Sequence, residues 1–303
     1  MTTRWRVQER PCPLCGCAES RLYREGNFTL ESGTADMSGA FSCTNVEHGR
    51  HFPIRRCDSC QFVYCSPCPT SDSLEGLYSS VVDPTYVQFE DARRVAVREV
   101  IRRLPISSGR LLEVGCYTGI FLEEAQRAGF ECYGIEPSRA AVDLCVERGL
   151  RVAQGFVDHP LPWDVKFDLV VMWDVLEHLH DPLNAVRSIR ELVAPGGEFH
   201  FTTVRIDCMF ARILGRRWPW FMPMHLLYFE RHSLETMLRQ AGFGDYSIGN
   251  NFHYSQVRYL EKKLKGMPFP LSVAGHLLSL LPNLTVRVSL GDTVYVRAKP
   301  LRN

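Results

Sequence analysis

Residues 111–121 read L-L-E-V-G-C-Y-T-G-I-F, and this stretch decides the fold. Leu111, Leu112 and Val114 form an apolar strand that stops at Gly115, where the missing Cβ lets the backbone approach a ligand and permits a positive φ. Gly119 opens a helix. Glu136, in Y-G-I-E-P-S, closes the next strand 21 positions after Gly115, near the distance at which a second-strand acid meets a ribose diol in wound α/β folds. A carboxylate accepts both hydroxyls of that diol. The turn is spaced G-x-x-x-G and not G-x-G-x-x-G, which weakens a nicotinamide reading.

Outward from this turn the pattern alternates strand and helix, which implies a parallel sheet covered on both faces. Strands are expected near 110–114, 131–135, 151–154, 167–172 and 197–203, and helices near 119–128, 138–148, 183–193 and 233–241. Ser138 after Pro137 suits a helix cap, and Gly129 and Gly149 suit helix stops. Near the end, D-T-V-Y-V-R-A-K alternates as a closing strand. Ligands of such sheets sit outside the carboxyl ends of the strands, where Gly115, Glu136, Gln154 and Trp173 all fall.

The stretch from about Arg110 to Gly242 resembles the class I S-adenosylmethionine (SAM) dependent methyltransferases. E-V-G-C-Y-T-G is similar to their first motif and I-E-P-S to their acidic second. F-D-L-V-V-M-W-D-V-L-E-H-L is similar to their fourth strand and its turn, and L-V-A-P-G-G-E-F-H-F to their fifth strand. The resemblance implies a Rossmann-like, mostly parallel α/β sheet with an antiparallel last strand, and SAM held by Glu113, Gly115, Cys116, Tyr117, Gly119 and Glu136, with Gln154 and Trp173 beside them. The counterpart of Glu113 helps order the methionine end. Where the family has glycine, this chain has Tyr117; an ordinary backbone conformation is expected there, with the ring over part of the cofactor. The family's adenine-binding acid falls near Phe156, which is apolar, so Asp158 or backbone groups take that place.

A chain of 303 residues allows one full core and a smaller module. With a net charge of +1 no global field draws it to nucleic acid or acidic lipid. The first residues, M-T-T-R-W-R-V-Q-E-R-P, lack an apolar signal segment, and no uncharged run reaches the roughly 20 residues that span a bilayer. The twelve cysteines cluster in pairs, which favours thiols or metal thiolates in a reducing cytoplasm over disulfides.

Cys12 and Cys15 form C-P-L-C, and Cys57 and Cys60 form C-D-S-C. Two such hooks suit tetrahedral, structural Zn2+. The 41 residues between Cys15 and Cys57 exceed usual finger spacing, so an inserted loop or small sheet is expected, with Gly33, Gly39 and Gly49 in it. Cys17, Cys43, Cys65, Cys68, His48 and His51 are rival ligands; Cys65 and Cys68 read as the exit from the ribbon. R-C-D-S-C-Q-F-V-Y-C-S-P-C-P resembles the zinc-binding domain of some bacterial deoxysugar C-methyltransferases, whose large C-terminal domain has no counterpart here.

The expected organisation is a zinc module over 1–75, a linker and packing helix over 76–109, and the methyltransferase domain over 110–303 with a helical insert near 254–283. S-D-S-L-E-G-L-Y starts a short helix. Thr85 to Leu104 carries Val97, Ile101 and Leu104 at helical spacing, its arginines at 93, 94, 98, 102 and 103 forming a solvated face.

Methyl transfer needs in-line placement and a base for the acceptor's proton. Histidine suits the second task. His178, in the E-H pair shared with ubiquinone-type O-methyltransferases, follows the fourth strand; His225 lies in R-R-W-P-W-F-M-P-M-H-L-L-Y-F. There Trp218, Trp220, Phe221 and Met224 form an apolar wall, with His225 and Tyr228 as polar handles. His225 is the preferred base, with His178 and Tyr228 as further catalytic candidates; His180 is expected to be exposed. Asp174, Glu177 and His178 also resemble the metal-binding cluster of plant small-RNA methyltransferases, with His225 as a fourth ligand. The insert at 260–282 is expected to be a lid or homodimer face, or to touch a membrane surface. Together these point to a methyltransferase for a small-molecule acceptor (a sugar, glycan precursor or natural product), with O-methylation ahead of C-methylation. RNA methylation and a non-catalytic SAM sensor with a zinc docking unit are the alternatives.

Overall fold

In the computed structural model, the described residues are 6–28, 39–41, 49–81, 83, 90–258, 261, 265, 271–282 and 284–301. Cys43, His48, Gly33, the start of the helix expected from Thr85 and much of the 260–282 insert lie outside them.

The first part of the chain contributes β1 (Val7–Gln8), β2 (Ser20–Arg24), β3 (Ile54–Cys57), β4 (Val63–Cys65) and β5 (Cys68–Pro69), then α1 (Ser71–Ser80) and α2 (Glu90–Ile101). The central layer follows as β6 (Gly109–Val114), α3 (Ile120–Arg127), β7 (Phe130–Glu136), α4 (Arg139–Glu147), β8 (Val152–Gln154) and β9 (Phe167–Met172). Next come α5 (Pro182–Leu192), β10 (Val193–Val204), α6 (Met209–Leu214), β11 (Leu227–Tyr228), α7 (Arg231–Gln240) and β12 (Phe243–Asn250). The chain closes with β13 (His253–Gln256), α8 (Leu271–Leu278), β14 (Thr285–Val288) and β15 (Thr293–Pro300).

Seven strands form the main sheet in the order β12-β15-β10-β9-β6-β7-β8. β10, β9, β6, β7 and β8 run parallel, and β15 is antiparallel to both β10 and β12. Successive side chains of a strand face opposite ways, and β9 shows the result. Leu169 and Val171 join Leu111, Leu122, Ala125 and Cys145 on one face. Val170 and Met172 join Phe199, Phe201, Val186, Ile189, Leu234 and Met237 on the other. This α/β architecture is the one the sequence implied, closing strand included. The helix caps also agree, since the Ser138 side chain accepts from the Ala141 N–H.

Two features depart from the sequence reading. β12, F-G-D-Y-S-I-G-N, lacks the alternation that marks a strand, yet it pairs along β15 from Phe243 to Asn250. The arginine face of α2 is also more than a solvated surface. Arg94 Nη1 and Arg98 Nε lie 2.9 and 2.6 Å from the Glu124 carboxylate on α3, and Arg127 pairs with the same group. Arg94 further pairs with Glu90 and Glu123, and Arg148 of the α4 end with Glu90. This lattice fixes α2 beside the helix that starts at the glycine turn.

The cysteine-rich part is not a free-standing bead. β2, β3 and β4 form an antiparallel sheet whose fourth strand is β11, from far along the chain. Its apolar residues, among them Phe52, Ile54, Phe62 and Leu77, join the same core as Phe199 and Leu234.

Burial works against the Glu124 carboxylate, but Arg98 and Arg94 outweigh it and hold its pKa down at about 2. A folded pKa below the ordinary glutamate value of 4.5 gives stabilisation that is complete above that pH and lost as pH falls towards 2. Glu124→Gln should lower stability by about 1–2 kcal/mol at neutral pH, the half-exposed arginines screening the remainder. Urea titrations at neutral pH and near pH ~3 should show the difference between variant and parent shrinking in acid.

Candidate functional site

β6 delivers the glycine turn to the carboxyl edge of the sheet. Gly115 and Gly119 have φ of 75° and 77°. A Cβ on Gly119 would lie 2.3 Å from a Leu150 methyl carbon and 2.9 Å from Cys145 Sγ, so only glycine fits there. Tyr117 corrects the expectation of an ordinary conformation: its φ is 42°. The turn needs that twist because the Tyr117 N–H donates to Glu136 Oε2 at 2.9 Å. Its carbonyl accepts from the Cys145 thiol at 3.1 Å, and its hydroxyl accepts from the Asp83 N–H at 3.0 Å. The phenol is thus directed to the strap at residue 83, whose neighbour Val81 accepts from Ser138 Oγ at 2.8 Å.

Glu136 is buried at the end of β7. Its Oε1 accepts from the Ser138 N–H at 2.8 Å. Burial raises its pKa to about 7, against the pull of the Ser138 and Tyr117 N–H groups. Each carboxylate oxygen has a second lone pair, so acceptors for two ribose hydroxyls stand ready. Glu113 is also buried, its Oε2 has no partner, and desolvation together with Cys145 and Glu136 pushes its pKa well above the usual carboxylate range. Cys116 is buried beneath the turn. Gln154 pairs with Glu136 across β8 and donates to the Pro137 carbonyl at 3.2 Å. Trp173 lies between Phe121 and Tyr295, at centroid distances of 5.5 and 6.1 Å, with a buried, unpartnered Nε1–H. These unsatisfied carboxyl and indole groups fit an adenosine and amino-acid ligand of the SAM type. Phe156 is half-buried and Asp158 exposed.

Beyond β9, Asp174 takes a φ of 52° and leads into a 3-10 turn at Leu176–His178. His178 and His225 come together, with ring centroids 4.9 Å apart and planes at 81°. Ligand atoms of Glu177, His178 and His225 all lie within 4.8 Å of one another. His178 Nδ1 is 3.1 Å from the Met224 carbonyl oxygen and 3.2 Å from Tyr78 Oη. Because a carbonyl only accepts, Nδ1 carries the hydrogen and Nε2 the lone pair. His225 repeats this, with Nδ1 2.8 Å from the Trp220 carbonyl oxygen. Burial lowers the His178 pKa to about 4, against the Met224 carbonyl and the Asp174 charge. Glu177, fully buried, has its pKa raised to about 8 by desolvation and by Asp174.

Other sequence candidates lie elsewhere. Tyr228 does not join the two histidines; it is buried in β11 beside Trp218 and Phe221, its hydroxyl unpartnered. Trp218 and Phe221 are core residues rather than an open wall, whereas Trp220 is half-buried and donates to Asp292 at 2.7 Å. His180 is half-buried, not exposed, because Arg10 grips its carbonyl at 2.7 Å. Tyr78 is the partner that sequence reasoning missed; nothing in α1 marks it as reaching His178.

The sulfurs of Cys12, Cys15, Cys57 and Cys60 lie within 4.8 Å of one another. Cys12–Cys60 and Cys15–Cys57 are each 3.5 Å apart. The Cys60 N–H points to Cys57 Sγ at 3.5 Å, as in a metal knuckle. Burial opposes the Cys57 thiolate, but the Cys60 and Ser59 N–H groups outweigh it and hold its pKa at about 7. Four clustered thiols of this kind fit zinc. Cys65 and Cys68 are buried in β4 and β5, Cys17 turns to Glu19, and His51 Nδ1 sits on the Phe52 carbonyl.

A ubiquinone biosynthesis O-methyltransferase of Proteus mirabilis is 33% identical over 102 residues, covering 31% of this chain and 42% of that protein. The protein of the same name from Alkalilimnicola ehrlichii is 35% identical over 105 residues, covering 31% and 41%. The match therefore spans less than half the length of these relatives. Among solved structures, a chain of the complex between the Haloferax volcanii Trm112 methyltransferase activator and a methyltransferase has a TM-score of 0.52 at 14% identity, covering 72% of this chain and 93% of that one, a likeness of fold. The family model described as a methyltransferase domain matches residues 89–248, more than half of the sequence, and the chain belongs to that family.

Proposed function

We propose that this methyltransferase moves the methyl group of SAM to an oxygen of a small-molecule acceptor, a sugar, glycan precursor or natural-product scaffold. When bound, SAM supplies an electrophilic methyl on a positive sulfur, so the chain's own residues have only to place the acceptor and remove a proton. Glu136 takes the ribose diol, Gly115, Cys116, Tyr117 and Gly119 line the turn, and Glu113 and Trp173 serve the methionine end. Gln154 borders the adenine side. His225 is the base, with His178 beside it; Tyr78 and Met224 set the His178 tautomer. The observation that carries this reading is the convergence of two Nδ1–H imidazoles beyond β9. The O-methyltransferase names of the partial relatives support oxygen as the acceptor atom. A net charge of +1 weighs against RNA.

A second reading has a specific observation in its favour. The carboxyl of Glu177 and the two imidazole nitrogens form a set that suits a divalent cation bound to the acceptor hydroxyl.

Incubation with methyl-labelled SAM and a metabolite extract should put label into small molecules; label in RNA, or none, overturns the reading. His225→Ala should lower kcat by about 10²–10⁴-fold, the usual contribution of general base catalysis. Full turnover in that variant would remove His225 from the role, and a divalent-cation requirement lost in Glu177→Gln would establish the second reading.

Glu136→Gln should weaken S-adenosylhomocysteine binding by roughly tenfold or more, since a carboxamide accepts only one of the two diol hydrogens well. Ionisation through a pKa of about 7 supplies both acceptors. Calorimetry should therefore show parent affinity rising as pH increases through that value, with the variant flat.

Zinc at the four cysteines would fix the β3–β4 turn, and β4 pairs with β11, which lies near the end of the flap formed by residues 216–229. Metal analysis should return one zinc for this site per chain. Stripping it should abolish transfer while leaving most S-adenosylhomocysteine binding heat, because the glycine turn is on the other sheet.

A further inference from the structure

Exposed apolar side chains are unevenly spread over this chain. Among the described residues sixteen large ones are exposed, and nine of them fall in two stretches, 209–217 and 251–291, which make up only 50 of the 303 residues. Both stretches leave the same edge of the main sheet. α6 follows the end of β10, and the segment holding β13, α8 and β14 runs from the end of β12 to the start of β15. Because β12 runs parallel to β10 and β15 antiparallel to both, these points all lie at the carboxyl edge, which also carries the glycine turn. Asp292 ties the two roots together. Its carbonyl accepts from the Arg205 N–H at 2.8 Å, and its carboxylate accepts from Trp220 Nε1–H at 2.7 Å.

Met209 and Ile213 lie one turn apart on α6 and are 75% and 73% exposed. α8 and its continuation read L-S-V-A-G-H-L-L-S-L-L-P-N-L, with His276 as the one titratable residue. Leu277, Leu280, Leu281 and Leu284 in it are all exposed, Leu280 at 80%. A helix this apolar throughout is ordinarily buried in something, and at eight residues α8 falls far short of the roughly 20 that span a bilayer. The bases beside these side chains define the partner. Residues 209–217 contain Arg212, Arg216 and Arg217, all exposed, and no acid. Residues 251–291 contain five bases and one acid, Glu261, which Arg258 and Lys265 share at 2.8 and 2.7 Å. Arg287 stands 3.5 Å over the exposed Phe252 ring. The overall charge of +1 thus hides a division, +7 in these 50 residues and −6 in the rest. An apolar surface rimmed with bases complements an anionic lipid surface. It suits a second copy poorly, because a two-fold interface sets a patch against itself and would oppose like charges.

We propose that α6 and the α8 segment form a docking face that lies on an anionic lipid bilayer. Met209, Ile213 and the α8 leucines enter the boundary of the acyl chains, and the exposed arginines with Lys265 meet the headgroups. The carboxyl edge of the sheet then faces the lipid. Docking of this kind goes beyond methyl transfer and does not depend on which acceptor is methylated.

The probe is a vesicle of equal parts phosphatidylglycerol and phosphatidylcholine, sedimented with the full chain, and a vesicle of pure phosphatidylcholine is the control. Binding to the anionic vesicles should be stronger by roughly tenfold or more, and the difference should shrink as salt rises. Two double variants, Leu280→Ser with Leu281→Ser and Met209→Ser with Ile213→Ser, should each weaken vesicle binding by roughly tenfold or more. The replaced side chains are exposed, so both variants should keep the Tm of the parent, which separates lost docking from lost folding. Equal binding to the neutral vesicles, or unchanged binding by either variant, overturns the proposal. A dimer seen by light scattering without vesicles, and dissolved by the leucine variant, would assign the face to a second copy and overturn it as well.

Discussion

One buried residue, Glu177, ties the carboxyl edge of the central sheet to the cysteine module. Glu177 lies 1% exposed beneath the flap, where desolvation keeps it protonated at neutral pH. Its Oε2 accepts from the Thr203 hydroxyl of β10 at 2.8 Å, and its carbonyl accepts from the Leu226 N–H at 2.9 Å. Leu226 in turn offers its carbonyl to the Cys65 N–H of β4 at 2.8 Å. A turn of the central sheet, the flap and the module's sheet are thus joined in series by hydrogen bonds shielded from water. Losing one partner in such a chain strands the others, at about 1–3 kcal/mol each. The position of His225, two residues before Leu227, follows from this chain more than from the local preferences of the flap.

Much of the sheet was legible because its strands are mostly apolar runs, and because the glycine after β6 and the acid that ends β7 each have a local task. The five parallel strands and the closing strand needed only periodicity. β12 did not, since its two glycines and its polar residues erase the alternation; pairing with β15 makes it a strand. The gathering of the two cysteine hooks into one cluster was legible from their spacing, but their sheet borrows β11 from across the chain, a long-range pairing that no local pattern encodes. The arginines of α2 and the acids they meet on α3 are a different case, since the arginines looked like solvent-facing charge when read on their own helix. They become a lattice only when the two helices are packed.

Two non-glycine residues keep left-handed backbone at the ends of adjacent strands, Tyr117 after β6 and Asp174 after β9. Such conformations cost about 1–3 kcal/mol and persist where neighbours over-determine them. Each is held in a similar way. The Tyr117 N–H is held by the Glu136 carboxylate, and the Asp174 N–H by Thr202 Oγ1 at 2.9 Å, whose hydroxyl donates back to Asp174 Oδ1 at 2.7 Å. The hydrogen-bond acceptor lies in both cases on a neighbouring strand, so sheet register sets the bend. Tyr117, for which an ordinary conformation was expected, keeps this one because its amide, hydroxyl and carbonyl are all engaged.

The electrical state of the histidine pair bears on the proposed chemistry. A pKa near 4 makes His178 a weak base towards a neutral hydroxyl. An alcohol oxygen that is gaining a methyl group from a sulfonium becomes cationic, and its proton then turns strongly acidic. A weak base is sufficient at that moment, and it has the advantage of never being protonated beforehand at neutral pH. Glu177, protonated through the same range, adds no charge that would draw a proton onto His178 early. A desolvated, neutral His178 nitrogen therefore accepts a proton late, as the carbon–oxygen bond forms, which places the demand on geometry and not on basicity. That is the property the Glu177 chain of hydrogen bonds secures.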